Sequence, residues 1–395
     1  MARPLLWLAL LSASLTFTAC AGIHLELTHV DAKEKCTVEE PGRGHHRLRQ
    51  QPRRTQCATC SPSSCFPQNL PIYDPSQSHT DQAVACNDAA CALGSETRCA
   101  ADGKTCAVLT GYGAGNITGV LGTEVFTFGS ENVSLAFGCI TATKLTPGSL
   151  NNASGIIGLG RGNLSLVEQL GATKFSYCLT PYFSDAANTS HLFVGASAAL
   201  SGGGAPVTSV PFVESPSEDP FNTFYYLPLT GITVGETMLD IPAAAFELRQ
   251  VAAGLWAGTF IDSGSPFTRL VDVAYQALRA ELEQQLGGSL VGPPAAAVAI
   301  GLDLCVANGN SSLVPQLVLH FGSGGGDVVV PPVNYWAPVD EATKCMVVFS
   351  AAGQNATLPT NETTVIGNYM HQDVHLLYDL GNGVLSFQTE DCSSM

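Results

Sequence analysis

A chain of 395 residues is too long for one ordinary core and predicts two domains. Hydrophobic residues make up 45 % and charged residues only 13 %, alongside 40 Gly and 23 Pro, which excludes a disordered chain and predicts a packed, turn-rich all-β protein. The formal net charge of −16 excludes nucleic acid and anionic membranes as partners at neutral pH.

Met1-Ala2-Arg3 gives a short basic start, residues 5–19 are nearly all apolar, and Ala19-Cys20-Ala21-Gly22 are small. This layout predicts a signal peptide over residues 1–22. The apolar run is short of the ~20 residues a spanning helix needs, and no later run reaches that length, so no membrane span is expected in the mature chain. Residues 23–54 run from Ile23-His24-Leu25-Glu26-Leu27 into the basic, turn-rich Pro41-Gly42-Arg43-Gly44-His45-His46-Arg47 and read as a removable prosegment. They and the signal hold 8 of the 17 Lys/Arg but 5 of the 33 Asp/Glu, which leaves 9 basic against 28 acidic residues from Thr55 onward, a net of −19. Such a surface discharges in acid with few ion pairs to lose, which suits an acidic compartment.

Residues 55–106 are cysteine-dense with few apolar runs and read as a disulfide-stapled loop region. Beyond Cys20 and Cys36, twelve cysteines remain: Cys57, Cys60, Cys65, Cys86, Cys91, Cys99, Cys106, Cys139, Cys178, Cys305, Cys345 and Cys392. An even number in a secreted chain predicts six disulfides, whose pairing the spacing leaves open. Cys57-x-x-Cys60 has no second pair at zinc-ribbon spacing, so no metal site is expected. Eight N-x-S/T sequons, at Asn116, Asn132, Asn152, Asn163, Asn188, Asn310, Asn355 and Asn361, agree with passage through the secretory pathway.

Short strand-like runs follow at 120–128, 133–137, 191–194, 224–229, 315–321, 328–330, 346–349 and 376–380, the punctuation of sandwiches or barrels. Helical spacing is confined to 274–286, with Tyr275, Leu278, Leu282 and Leu286 on one face before Gly287-Gly288, and to a shorter stretch at 164–170 closed by Gly171. Residues 195–204 read as a linker. The run Gly322 to Gly326 lacks the Lys and the helix of a phosphate loop and reads as a hairpin. Gly155-Ile156-Ile157-Gly158 and Val365-Ile366-Gly367-Asn368 form a faint repeat, as a duplicated lobe would leave.

The segment 258–268 carries the chemistry: an apolar strand delivers Asp262 into the tight turn Ser263-Gly264-Ser265. Gly264 allows a sharp turn, and nearby hydroxyls and amides can hold the carboxylate in one orientation. An Asp-Ser-Gly can also simply cap a turn.

The surrounding sequence decides between the two. Thr55-Gln56-Cys57-x-x-Cys60, Tyr73-Asp74-Pro75-Ser76, Tyr112-Gly113-x-Gly115, Phe137-Gly138-Cys139, the 155–165 stretch, Phe175-Ser176-Tyr177-Cys178-Leu179 and 365–379 occur in the order found in pepsin-like aspartic proteases. The chain resembles that family from about Thr55 to Met395, specifically its plant nepenthesin-like group, related in fold to plant xylanase inhibitors. The resemblance implies an all-β, bilobal acid protease fold with few short helices. The N-terminal lobe would span 55–179 and the C-terminal lobe 180–395. It implies Asp262 as a catalytic residue, Ser263, Gly264 and Ser265 as its active-site turn and Tyr112 as the flap tyrosine. The implied activity is aspartic endopeptidase action on polypeptides, with no cofactor and no metal, by a monomer in the apoplast or a vacuole. Two aspartates, one per lobe, would share a proton and a water, because two carboxylates in contact cannot both ionise easily.

Asp262 is the only Asp in the 395 residues followed by Ser or Thr and then Gly. The family's first such motif belongs just before Gln56-Cys57, where this chain reads Gln51-Pro52-Arg53-Arg54-Thr55. On the order of 30 residues, two or three strands, are absent. Prosegment abuts loop without transition, the pattern of a skipped segment. Ala114 stands where the flap has an Asp, and the stretch to Glu124 is one residue short. The N-terminal lobe is therefore expected to be truncated at its start and the chain to be inactive. The alternative is a non-catalytic secreted binding protein, like a xylanase inhibitor, with a secreted glycosidase as partner.

Overall fold

The computed structural model describes residues 22–28, 54–60, 63–68, 71–112, 115–128, 131–146, 153–183, 189–202, 205–353 and 356–395. The signal-peptide reading up to residue 21 and positions 29–53 of the prosegment lie outside the described residues.

Strands dominate, as the composition predicts. A six-stranded antiparallel sheet forms the middle of the molecule, in the order Ile23–Thr28, Thr189–Val194, Lys174–Cys178, Val374–Asp379, Val384–Thr389 and Val207–Pro211. It takes strands from both sides of residue 180. Residues 23–28, read from sequence as part of a prosegment, form its outer strand, paired from Ile23↔Val194 to Thr28↔Thr189. Residues 195–202 do not hang free. They connect two strands of this sheet, and Ala198 among them is buried.

In the first lobe the hairpin Gly115–Phe128 with Glu131–Leu145 is the longest pairing. Alternation buries Phe126, Phe128, Val133, Leu135 and Phe137 against the main core. Gly119 sits at a register shift, where a Cβ would lie 2.2 Å from the Cys139 carbonyl oxygen. The buried Glu124 accepts from Tyr73 Oη at 2.6 Å, from Ser78 Oγ at 2.5 Å and from Thr80 Oγ1, tying the 73–81 loop to this hairpin. All twelve cysteines pair: Cys57–Cys139, Cys60–Cys65, Cys86–Cys99, Cys91–Cys106, Cys178–Cys392 and Cys305–Cys345. Eight of those cysteines staple the first lobe, where regular structure is sparsest.

Among the described residues the second lobe holds four further sheets, of five, four, four and two strands, and the helix Asp272–Leu286, which buries Ala274, Leu278, Leu282 and Leu286 and ends at Gly287 with φ +43°. Two strand expectations are corrected. Residues 224–229 split into Tyr225–Tyr226 and Leu229–Val234 around Pro228, which has no N–H to give the ladder. Residues 346–349 straddle Thr343–Met346 and Val348–Ser350. The 164–170 helix shortens to Leu166–Gln169 because Ser165 caps it, accepting from the Glu168 N–H at 3.3 Å. Gly322 to Gly326 is the hairpin turn between Leu317–Phe321 and Asp327–Val330. Among the described residues no helix is long and apolar enough to cross a membrane.

Candidate active site

The strand Thr259–Asp262 is buried along its length, and Asp262 is its last residue, 3 % exposed. Beyond it the chain turns at once. Asp262 Oδ1 accepts from the Gly264 N–H at 2.8 Å and Oδ2 from Ser265 Oγ at 2.9 Å. Both oxygens are thus oriented by the turn they enter, the geometry a positioned carboxylate needs. Ser263, Gly264 and Ser265 therefore lie where the sequence places them.

A second strand fixes that turn. Thr364–Gly367 runs parallel to Thr259–Asp262, with Gly367 opposite Asp262. A Cβ on Gly367 would lie 2.5 Å from the Phe267 carbonyl carbon, so only glycine lets the two loops close. Asn368 then clamps the turn, its Nδ2 donating to the Ser263 carbonyl at 2.8 Å and its backbone N–H to the Ser265 carbonyl at 2.7 Å. Thr268 Oγ1 accepts from the Gly367 N–H at 3.1 Å. Sequence reading caught Gly367 and Asn368 as half of a faint repeat and as part of the resembling stretch 365–379; their clamping role follows from the parallel pairing, which no local pattern reveals.

A buried polar layer lies close to the carboxylate. Tyr177 Oη meets His371 Nδ1 at 3.1 Å and Tyr378 Oη at 3.1 Å. Burial first, and the negative charge of Asp262 further down, push both phenols up. Burial pulls the His371 imidazole down to about 3, partly opposed by the backbone carbonyl of Ile366, which favours a proton on the ring, so it stays neutral through most of the acid range. Tyr177 lies in one of the stretches that carry the resemblance, and His371 and Tyr378 in another, but the sequence assigned none of the three a role.

The two lobes repeat one strand arrangement. In the second, Thr268–Leu270 runs parallel to Val348–Ser350 and antiparallel to Thr364–Gly367, and the latter pairs with the Asp262 strand. In the first, Arg54–Gln56 runs parallel to Glu131–Leu145 and antiparallel to Gly155–Ile156. Three of the four strands correspond, and the faint sequence repeat lies on matching members. Among the described residues Gly155–Ile156 ends its sheet, with no counterpart of the strand that delivers Asp262.

Tyr112 ends the strand Cys106–Tyr112 and pairs with Gly115 at the tip of a hairpin. Of the sequons, Asn116, Asn132 and Asn163 are exposed, while Asn310 and Asn361 are half-buried. Asn163 Nδ2 is engaged by the Leu93 carbonyl at 3.1 Å, and Asn361 Oδ1 is buried without a hydrogen bond. Asn152, Asn188 and Asn355 lie outside the described residues. No group of three or more His, Cys, Asp or Glu that could hold a metal occurs among the described residues.

Comparison with known proteins places this geometry. Residues 55–196 match the family model "Xylanase inhibitor N-terminal" and residues 224–389 match "Xylanase inhibitor C-terminal". Aspartic proteinase nepenthesin-1 of Nepenthes gracilis is 34 % identical over 345 residues, covering 86 % of this chain and 72 % of that protein. Aspartyl protease family protein 2 of Arabidopsis thaliana is 34 % identical, covering 86 % and 65 %. Among solved structures, soybean basic 7S globulin superposes with a TM-score of 0.61 at 18 % identity over 88 % of each chain. A protein titled edgp superposes with 0.63 at 16 % identity over 96 % and 97 %. These two show the fold. The architecture is that of the pepsin-like proteins. Within them, the chain belongs to the nepenthesin-like plant aspartic protease family, which is related to the xylanase inhibitors.

Proposed function

We propose that this chain carries the C-terminal half of a two-aspartate peptidase site and has little or no proteolytic activity of its own. One observation carries the reading: Asp262 is held and buried as a catalytic carboxylate would be, whereas the matching sheet of the first lobe stops one strand short among the described residues. A single carboxylate can take a proton from water. Without a protonated partner, nothing polarises the peptide carbonyl or supplies a proton to the leaving amine. In a chain with the second aspartate, the substrate class would be polypeptides cleaved in acid, with Tyr112 on the closing hairpin and no cofactor.

Residues 1–22 act in this reading as a signal peptide and 23–54 as a prosegment, with lobes over 55–179 and 180–395. Six disulfides and the acidic mature region support a monomer in the apoplast or a vacuole. Sequencing transcripts across the Arg54–Thr55 junction tests whether a strand-bearing segment is skipped. A full-length transcript encoding Asp-Thr-Gly or Asp-Ser-Gly there assigns the locus an active peptidase, and its absence from all transcripts removes that assignment.

A second reading is favoured by the family descriptions: a non-catalytic protein that binds a secreted glycosidase. Pull-down at acid pH tests it, and failure to recover any glycoside hydrolase rules against it.

A further inference from the structure

Two carboxyl groups of the first lobe meet on one phenol. Tyr73 Oη lies 3.0 Å from Asp81 Oδ1 and 2.6 Å from Glu124 Oε2. Glu124 is buried in the strand Gly115–Phe128 and accepts further from Ser78 Oγ at 2.5 Å, from Thr80 Oγ1 and from the Val125 N–H at 2.7 Å. Asp81 and Tyr73 are half-buried. The next residues, Gln82–Ala83, pair with Thr123 and Gly122 of the same strand. The contact therefore sits where the 73–81 loop joins the hairpin that carries Tyr112.

A phenol hydroxyl has one proton to give. With both carboxyls ionised, Tyr73 serves only one of them, and the other oxygen faces a lone pair. A proton on Asp81 completes the row, because Asp81 then donates to Tyr73 and Tyr73 to Glu124. We propose that Asp81, Tyr73 and Glu124 form a one-proton brace, closed in mild acid and slack at neutral pH, that fastens the 73–81 loop to the strand Gly115–Phe128.

The surroundings decide which carboxyl takes the proton. On the loop, Asp74 is turned to Ser76, accepting from its N–H at 3.0 Å and its Oγ at 2.7 Å, and His79 is exposed. Residues 56–58 hold the Tyr73 backbone and bring only the uncharged Gln56, Cys57 and Ala58. The strand Glu131–Leu145 brings the Phe137 ring, edge-on to Tyr73 at 5.5 Å and 81°. Its charged residues Glu131 and Lys144 stand opposite Phe128 and Asn116, toward the two ends of the hairpin. Burial pushes the Asp81 carboxyl up, the Tyr73 hydrogen bond opposes this, and the Glu124 charge adds to it. Glu124 goes the other way: burial acts to raise it, but hydrogen bonds from Ser78, Thr80, Tyr73 and the Val125 N–H together hold it below its ordinary value.

The sign follows from those two directions. The stability Asp81 contributes is full below its unfolded value of about 4 and is lost as pH rises through the raised folded value. Glu124 contributes above its own unfolded value and loses its share as pH falls through the lowered one. The brace is closed between the two folded values. Asp262 takes no part, so the brace stands or falls separately from the peptidase reading.

Hydrogen exchange of the secreted chain at about pH 4.5 and about pH 7, corrected for intrinsic rates, reads the brace. Protection of the 73–83 peptide is expected to be roughly three-fold or more greater at the lower pH, while the 384–389 peptide changes by less. Asp81→Asn places an N–H donor on Tyr73 at every pH and is expected to keep the loop equally protected at both values. His79→Gln is expected to retain the wild-type dependence. Equal or weaker protection of 73–83 at the lower pH, an equal change at 384–389, wild-type dependence in Asp81→Asn, or its loss in His79→Gln would each overturn the proposal.

Discussion

Asp262 and Gly367 stand opposite each other in parallel register, and the Phe267 and Ser265 backbone packs against Gly367 closely enough to exclude any side chain there. The buried carboxylate is thereby fixed from two directions: its own turn supplies both hydrogen-bond donors, and the neighbouring strand supplies the clamp through Asn368. Gly367→Ala forces a methyl into the Phe267 backbone, which cannot give way as a flexible side chain would. A loss of about 2–4 kcal/mol is expected, read as a lower denaturant midpoint with the slope unchanged.

The clamp itself is testable separately. Asn368→Ala removes the donor to the Ser263 carbonyl, a net loss of about 1–2 kcal/mol. Thermal unfolding of the purified chain checks this, and a change within error would show that the turn holds without the clamp.

His371 gives a pH dependence of definite sign. Its folded value near 3 lies below the ordinary 6.5, so the unfolded chain takes up a proton that the folded chain refuses. Stability contributed here is full above about pH 6.5 and falls as pH drops toward 3, by up to ~1.4 kcal/mol per pH unit. His371→Asn is therefore expected to flatten the stability profile between those limits, even if it lowers stability at neutral pH. Denaturant titrations at a series of pH values read the slope.

The Cys178–Cys392 bridge closes a separation of 214 residues and ties the C-terminus to the middle sheet. Replacing both cysteines with serine is expected to cost about 2–5 kcal/mol, less than loop entropy alone suggests because Cys305–Cys345 already shortens the enclosed chain. Comparison of unfolding midpoints with the intact chain measures it.

Much of this was legible in the sequence where one residue type has one job. The Asp-Ser-Gly-Ser turn, the Leu278-Leu282-Leu286 face and the even set of cysteines each led to the element found. Pairing was not legible. The Cys57–Cys139, Cys178–Cys392 and Cys305–Cys345 bridges, the Gly367 contact and the strand correspondence between lobes join residues far apart in sequence, and local pattern carries no register for them; the three shorter bridges stay open in the sequence because neighbouring cysteines offer several pairings. Pro228 broke a predicted strand because an apolar run hides the loss of one N–H. Ile23–Thr28 read as a removable segment, and its place as an outer strand of the middle sheet depends on a partner strand about 165 residues away.

The account rests on a missing strand, so supplying one should restore chemistry. A chain with an Asp-Thr-Gly-bearing segment inserted between Arg54 and Thr55 is expected to gain acid-dependent cleavage that disappears in Asp262→Ala. Failure to gain activity in a folded insertion variant would locate the defect elsewhere.

The most direct test is a peptide-cleavage assay at acid pH on the 395-residue chain as it stands, with and without pepstatin. The account predicts no cleavage above background, and no difference between wild type and Asp262→Ala. Pepstatin-sensitive cleavage that is lost in Asp262→Ala would contradict it.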